Sequence, residues 1–185
     1  MNKKIIFIGL IFLGVAIAAF FYTRIVRQPP LLPTQQAINS WSGVTPGQTS
    51  SDDLYRQLGA PISSIESALG KTFSYPSNNK YWTNDIDVKE NRVTFIKERI
   101  FAPNETSLKK YIGNIGGDWI QLYGPESLSS GIYLFSYPNK GIALYGSQEQ
   151  DIIYETWRFP PMTIQLFLAL PQAQGYSLTP QSAGL

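Results

Sequence analysis

Phe73-Ser74-Tyr75-Pro76 recurs in this chain as Phe135-Ser136-Tyr137-Pro138, and this repetition decides the fold prediction. The flanking residues also match in order, since Leu58-Gly59-Ala60-Pro61 corresponds to Leu122-Tyr123-Gly124-Pro125. Matched segments that keep one order indicate a structural unit that occurs twice, here with a length of about 60 residues. A chance repetition in a chain rich in Pro and Gly is the alternative.

The first unit begins with helix signals. Thr49 or Ser50 can cap a helix that presents Leu54 and Leu58 on one face. We expect a second short helix at residues 63–69, because Gly70 would end it. Strands then follow up to residue 101, with apolar and polar residues in alternation.

The second unit repeats this order. A helix starts at Thr106 or Ser107, and strands are predicted within residues 132–159. Thr163 can cap a last short helix at residues 164–170, which would cover an open end of the sheet.

The N-terminal segment has the composition of a membrane anchor. Residues 5–22 are uncharged, and basic residues lie on both sides of them. A helix of this length spans about 27 Å, which is close to the thickness of the bilayer core. We therefore expect a single-pass plasma membrane protein, bound to the lipid bilayer through residues 5–22, with a cytoplasmic N-terminus and an extracytoplasmic C-terminal domain. A cleaved signal peptide, suggested by Ala16-Ile17-Ala18, is the alternative.

These patterns predict an α+β fold in which an N-terminal transmembrane helix precedes two related helix-plus-antiparallel-meander units. Five segments follow: a cytoplasmic tip and anchor at 1–27, a Pro-rich linker at 28–40, a first α+β unit at 41–103, a second unit with a closing helix at 104–170, and a flexible tail at 171–185.

Composition excludes several kinds of chemistry. The chain has neither Cys nor His, so it has no disulfide, thiolate nucleophile or imidazole base. Four of its 15 basic residues lie in the first 27 positions, and no basic stripe suggests nucleic-acid binding. Asp85 and Asp87 share one face of a predicted strand, where we interpret them as solvated. We expect no catalytic, metal-binding or cofactor-binding residue and no cofactor.

A family resemblance rests on the start of the first unit. The segment 44–54, followed by Leu58-Gly59-Ala60-Pro61, resembles the opening of the SmpA/OmlA (BamE-like) domain. Two such units in tandem are similar to the β-lactamase inhibitor protein architecture. The resemblance implies a non-catalytic module that binds other proteins of the cell envelope. The chain departs from that family in having no Cys for lipid attachment, and its second unit lacks the first turn of the motif.

Aromatic residues are the candidates for contact with a partner, because Tyr and Trp are common at the centre of protein interfaces. These candidates are Tyr81, Trp82, Trp119, Tyr123 and Trp157. The alternative for each Trp is a place in the core.

The function expected from the sequence is that of a membrane-anchored extracytoplasmic protein-interaction or scaffold module of the cell envelope, which is not an enzyme. The alternative is an extracytoplasmic hydrolase or a carbohydrate- or peptidoglycan-binding module that uses carboxylates and aromatic rings. An enzyme would gather Asp, Glu, Lys or Ser in a concave pocket, whereas a scaffold would expose an apolar or aromatic part of the sheet.

Overall fold

A computed structural model of the chain describes residues 38–67, 70–100 and 107–180, and the fold in these ranges is dominated by one antiparallel sheet. The strands are β1 (Ser63–Ser67), β2 (Gly70–Pro76), β3 (Thr83–Lys89), β4 (Arg92–Arg99), β5 (Ile120–Leu122), β6 (Tyr133–Tyr137), β7 (Ile142–Ser147) and β8 (Ile152–Arg158). The helices are α1 (Ser51–Leu58), α2 (Leu108–Ile115), α3 (Ser127–Ser130) and α4 (Ile164–Leu168).

The order of the strands places the two halves of the chain side by side. It runs β1-β2-β3-β4-β8-β7-β6-β5, so β4 and β8 meet in the middle of the sheet. Their antiparallel register pairs Ile96 with Arg158 and Arg99 with Glu155. The two copies of Phe-Ser-Tyr-Pro lie in β2 and at the end of β6.

This architecture corrects the predicted fold class. The described residues form a continuous eight-stranded sheet with few and short helices, and not two separate helix-plus-meander units behind a transmembrane helix. The pairing of β4 with β8 makes the sheet continuous. Because these hydrogen bonds join segments that are far apart in the chain, no local sequence pattern announces them.

The helix expected at residues 63–69 is also wrong, because Ser63–Ser67 is strand β1. All five of its residues are exposed, whereas an amphipathic helix would bury one apolar face against the sheet. Its backbone hydrogen bonds are instead made with β2, in a register that pairs Ile65 with Thr72. A β-branched Ile among serines suits a strand better than a helix.

The single-pass localisation needs correction as well. No helix in the described parts of the chain is long and apolar enough to cross a membrane. The segment 5–22, on which the anchor and its contact with the lipid bilayer were expected, lies outside the described residues. The single-pass plasma membrane localisation is therefore not supported by the fold.

One face of the sheet, called here the helix face, packs against α1 and α2. Leu54 of α1 lies in a buried cluster with Phe73, Ile86 and Ile96. Leu108 of α2 lies in a second cluster that includes the following residues of β6, β7 and α2: Phe135, Tyr137, Ile142, Leu144 and Ile115. The burial of these apolar side chains away from water is the main stabilising contribution on this face.

The opposite face, called here the open face, is covered over only part of its width. Phe167 of α4, Ala173 and Tyr176 pack over Phe95 and Trp157 at the middle of the sheet. The part formed by β1, β2 and β3 carries polar side chains instead, among them Thr72, Ser74, Asp85 and Asp87.

Side-chain caps begin the longer helices as the sequence indicates. The N–H of Asp53 donates to Ser50 Oγ at 3.1 Å, which confirms a cap at the start of α1. The N–H of Lys110 donates to Ser107 Oγ at 3.1 Å at the start of α2. Asp151 reinforces this second cap, since Ser107 Oγ donates to one carboxylate oxygen at 2.8 Å and the Lys109 N–H to the other at 2.8 Å.

These hydrogen bonds make the stability of the α2 cap depend on pH. They hold the pKa of Asp151 below its ordinary value of 3.8, with the bond from the Lys109 backbone as the largest cause. A lowered pKa in the folded state stabilises the fold above the unfolded pKa, and this contribution is lost as pH falls through the folded pKa. We expect Asp151→Asn to lower the thermal midpoint at pH 7 and to leave it nearly unchanged near pH 2. Asp151 has a positive φ of 54°, which Asn also adopts readily. The substitution therefore removes the charge without straining the backbone. An equal loss at both pH values would contradict the role of the charge.

Candidate functional site

The outer strand β1 is the most accessible part of the sheet. In the described residues no strand pairs with its outer side, because β1 stands first in the strand order. We call residues 62–66 the β1 edge. Ile62 and Ile65 are 64% and 69% exposed there. Ile65 lies on the open face, since its partner Thr72 donates to Asp87 at 2.6 Å across that face.

A loop with two exposed aromatic residues lies between β2 and β3. Tyr81 is 77% exposed and Trp82 is 41% exposed. The loop is held by local hydrogen bonds, in which the Tyr81 N–H donates to Asn79 Oδ1 at 2.9 Å and the Asn79 N–H to Ser77 Oγ at 3.1 Å. It therefore presents the two candidate rings on an ordered turn at one end of β2 and β3.

Trp157, another candidate, is buried on the open face and is only 3% exposed. Its indole Nε1 donates to Glu155 Oε2 at 2.7 Å, and the Lys97 ammonium lies 5.1 Å from its ring centroid. Arg99 links this residue to the loop, because its guanidinium lies 3.5 Å from Glu155 Oε1 and 6.0 Å from the ring centroid of Trp82.

The other two candidates lie in the second half of the sheet. Trp119 packs edge-on against Phe135 on the helix face, with 5.1 Å between ring centroids. Tyr123 packs edge-on against Tyr133 at 5.6 Å. Both rings are partly buried in intramolecular contacts. The structure thus brings Tyr81 and Trp82 together at the surface and does not gather all five residues in one site.

The carboxylates of the open face are engaged by neighbouring groups. Asp85 accepts from Ser74 at 3.0 Å and from Thr83 at 3.0 Å, and Arg99 lies 3.4 Å from it. Asp87 accepts from Thr72 and from the Gln172 side chain. In the described ranges no group of three or more Asp and Glu side chains could hold a metal ion. These carboxylates act here as hydrogen-bond acceptors that order the sheet surface.

A small cavity lies at the other end of the open face. We call it the tyrosine cavity, and its volume is about 200 Å³. Its walls include Glu126, Ser127, Ser130, Tyr145 and Tyr176. Burial, together with the charges of Glu155 and Glu126, raises the pKa of Tyr145. Burial is also the largest cause that raises the pKa of Tyr176. Both phenols are therefore neutral hydroxyls at ordinary pH.

The chain has few detectable similarities to known proteins. No family model matches the chain, and no curated protein matches it. The chain is similar to the crystal structure of an extracellular protein containing a SCP domain from Bacillus anthracis str. Ames, with 16% identity and a TM-score of 0.42. The match covers 72% of this chain and 48% of that protein, so the chain spans about half of its length. These comparisons do not support the resemblance to the SmpA/OmlA (BamE-like) domain.

Two features of the candidate site are absent from the sequence prediction. Ile65 of the β1 edge was expected on a helix at residues 63–69, which Gly70 would end, and Ile62 lies directly before that segment. The β-branched side chain of Ile65 beside Ser64 was the signal for a strand. The tyrosine cavity had no signal, because its walls come from three separate segments of the chain.

Proposed function

We propose that the chain is a non-catalytic protein-binding module that takes up an extended segment of another protein along the β1 edge. The observation that carries this proposal is an outermost strand whose five residues are all exposed. The outer side of such a strand presents backbone N–H and C=O groups that can pair with one further strand. Main-chain hydrogen bonds then supply affinity, and alternate side chains supply specificity.

The side chains of the β1 edge indicate what such a segment would contain. Ile65 favours a β-branched or aromatic residue opposite it on the open face. Glu66 points to the other face and favours Lys or Arg opposite it. The ordered loop with Tyr81 and Trp82 provides additional exposed aromatic surface for the same partner.

The engaged state of the carboxylates supports binding over hydrolysis as the function. Asp85 and Asp87 are each held by two or more side chains, and Glu155 accepts the indole N–H of Trp157. A general acid or base needs a proton-transfer path to a substrate and a pKa near the working pH. Such an arrangement is better suited to fixing the sheet surface than to moving protons.

The first test uses photo-crosslinking residues placed in the full-length chain. We expect positions 62 and 65 to capture the same protein, because both lie on the β1 edge. Leu128 and Leu178 are the controls, since both are apolar and are 60% and 52% exposed. Leu128 follows β5, and Leu178 adjoins Ser177, which pairs with Tyr123 after β5, so both lie at the opposite end of the strand order from β1. Equal capture at the control positions, or capture of a second copy of the chain only, would contradict the proposal.

The second test asks whether main-chain pairing carries the binding. The segment identified by crosslinking is synthesised as a peptide and titrated onto Ser64→Pro and Ser64→Thr chains. The register of β1 with β2 turns the backbone N–H of Ser64 to the outer side, so proline removes a donor to the added strand, and we expect a loss of affinity of about 10-fold or more, whereas Thr keeps this donor. Hydrogen exchange in residues 63–66 should slow when the peptide binds. Unchanged exchange would show that the peptide does not add a strand.

A further inference from the structure

The tyrosine cavity has a composition that the proposed pairing at β1 does not use. It lies at the opposite end of the strand order, beside β6 and β7, and is formed by the 124–130 connection, Tyr145 and Tyr176. Its volume of about 200 Å³ accommodates the head of a small organic molecule or one side chain. It is large enough to bind a ligand but too small for a folded element.

The walls of the cavity are formed and held in place by local contacts. Ser127 Oγ accepts from the Gly124 N–H at 2.7 Å, and Ser130 Oγ lies 2.8 Å from the Glu126 carbonyl oxygen. Tyr176 packs edge-on against Trp157 with 5.8 Å between ring centroids. A methyl group added at Gly124 would lie 3.1 Å from the Tyr176 ring, so the ring is closely seated beside this turn.

The charges at the cavity are of one sign. Glu126 lines it, and Glu155 acts on both tyrosines from the neighbouring strand. Among the described residues, those that line the cavity include no Lys or Arg. Aromatic rings next to carboxylates form an environment that attracts cations and repels anions, and tyrosine rings add a cation–π contribution.

We propose that the tyrosine cavity binds the ammonium group of an organic cation. Tyr145 and Tyr176 would contact its alkyl and ammonium groups, and Glu126 would balance its charge. The ligand class includes free quaternary amines and the side chain of a lysine. This inference does not depend on strand addition at β1, since the two surfaces share no residue.

The test compares a cation with its neutral isostere on the full-length chain. Choline and neohexyl alcohol have the same shape, but a carbon replaces the charged nitrogen in the alcohol. Binding is followed by NMR through the ring signals of Tyr145 and Tyr176. We expect saturable shifts with choline at millimolar concentration and binding of the alcohol that is weaker by roughly 5-fold or more.

Two matched variants separate the cavity from the general charge of the protein. Glu126→Gln should weaken choline binding by roughly 3-fold or more, while Glu149→Gln, which changes an exposed carboxylate in the turn before β8, should not. N-acetyl-lysinamide is the second probe, and its binding would identify a lysine side chain as a suitable source of the ammonium. Equal binding of choline and the alcohol, no saturable shift with either cation, or equal effects of the two variants would overturn the proposal.

Discussion

Replacing Phe167 by Ala is expected to destabilise the fold by about 3–5 kcal/mol, which is typical when a large buried aromatic side chain is removed. Phe167 is fully buried, and its ring lies 4.7 Å from that of Phe159. It is the main apolar contact of the short helix α4 with the open face. Because α4 precedes the segment that carries Ala173 and Tyr176, we also expect the loss of Phe167 to loosen the packing on Trp157.

Urea unfolding followed by Trp fluorescence measures this effect. Leu166→Ala is the matched control, since Leu166 is in the same helix but 60% exposed, and its cost should be within about 0.5 kcal/mol. Similar losses for the two variants would mean that helix propensity, and not burial, dominates at α4.

Replacing Glu98 by Ala should cost about 3 kcal/mol, because it leaves a buried guanidinium without its counter-charge. Arg158 Nη1 donates to Glu98 Oε2 at 2.7 Å, and the two side chains are 10% and 24% exposed. Arg158 Nε has no hydrogen-bond partner in the described part of the chain. The bond to Glu98 is therefore the main polar contact of the Arg158 guanidinium. The pair lies where β4 meets β8 and thus joins the two halves of the sheet.

The double replacement Glu98→Leu with Arg158→Met tests the explanation. Two apolar side chains leave no buried charge, so most of the lost stability should return. Chemical denaturation of the wild type, the single variant and the double variant provides the comparison. If the double variant is as unstable as Glu98→Ala, the cost arises from altered packing and not from the stranded charge.

Local elements of the fold were predictable where a short stretch contains all the information. Ser50 begins α1 and Thr163 begins α4, because a hydroxyl next to an apolar periodic segment satisfies the first free N–H groups of a helix. The segment 63–67 was not predictable in the same way. It contains a single isoleucine, Ile65, which is too little to distinguish helical from extended spacing, and its pairing with β2 decided between them.

The candidate site was predictable only in its exposed loop. Tyr81 and Trp82 were chosen by residue type alone, and both are exposed. Trp157 has the same residue type as Trp82 but is buried, since Tyr176 and Lys97 pack on it from distant parts of the chain. Residue type therefore did not distinguish a surface ring from a core ring.

The sequence by itself determined the helix caps, most of the strands and the lack of thiol and imidazole chemistry, because these depend on residue type and on neighbours a few positions away. The tertiary structure alone decided that β4 pairs with β8, that β1 is an exposed edge, and that Tyr145, Tyr176 and Glu126 line one cavity. The physical reason is that sheet pairing and cavity formation depend on contacts between segments distant along the chain, whose energies no local pattern contains.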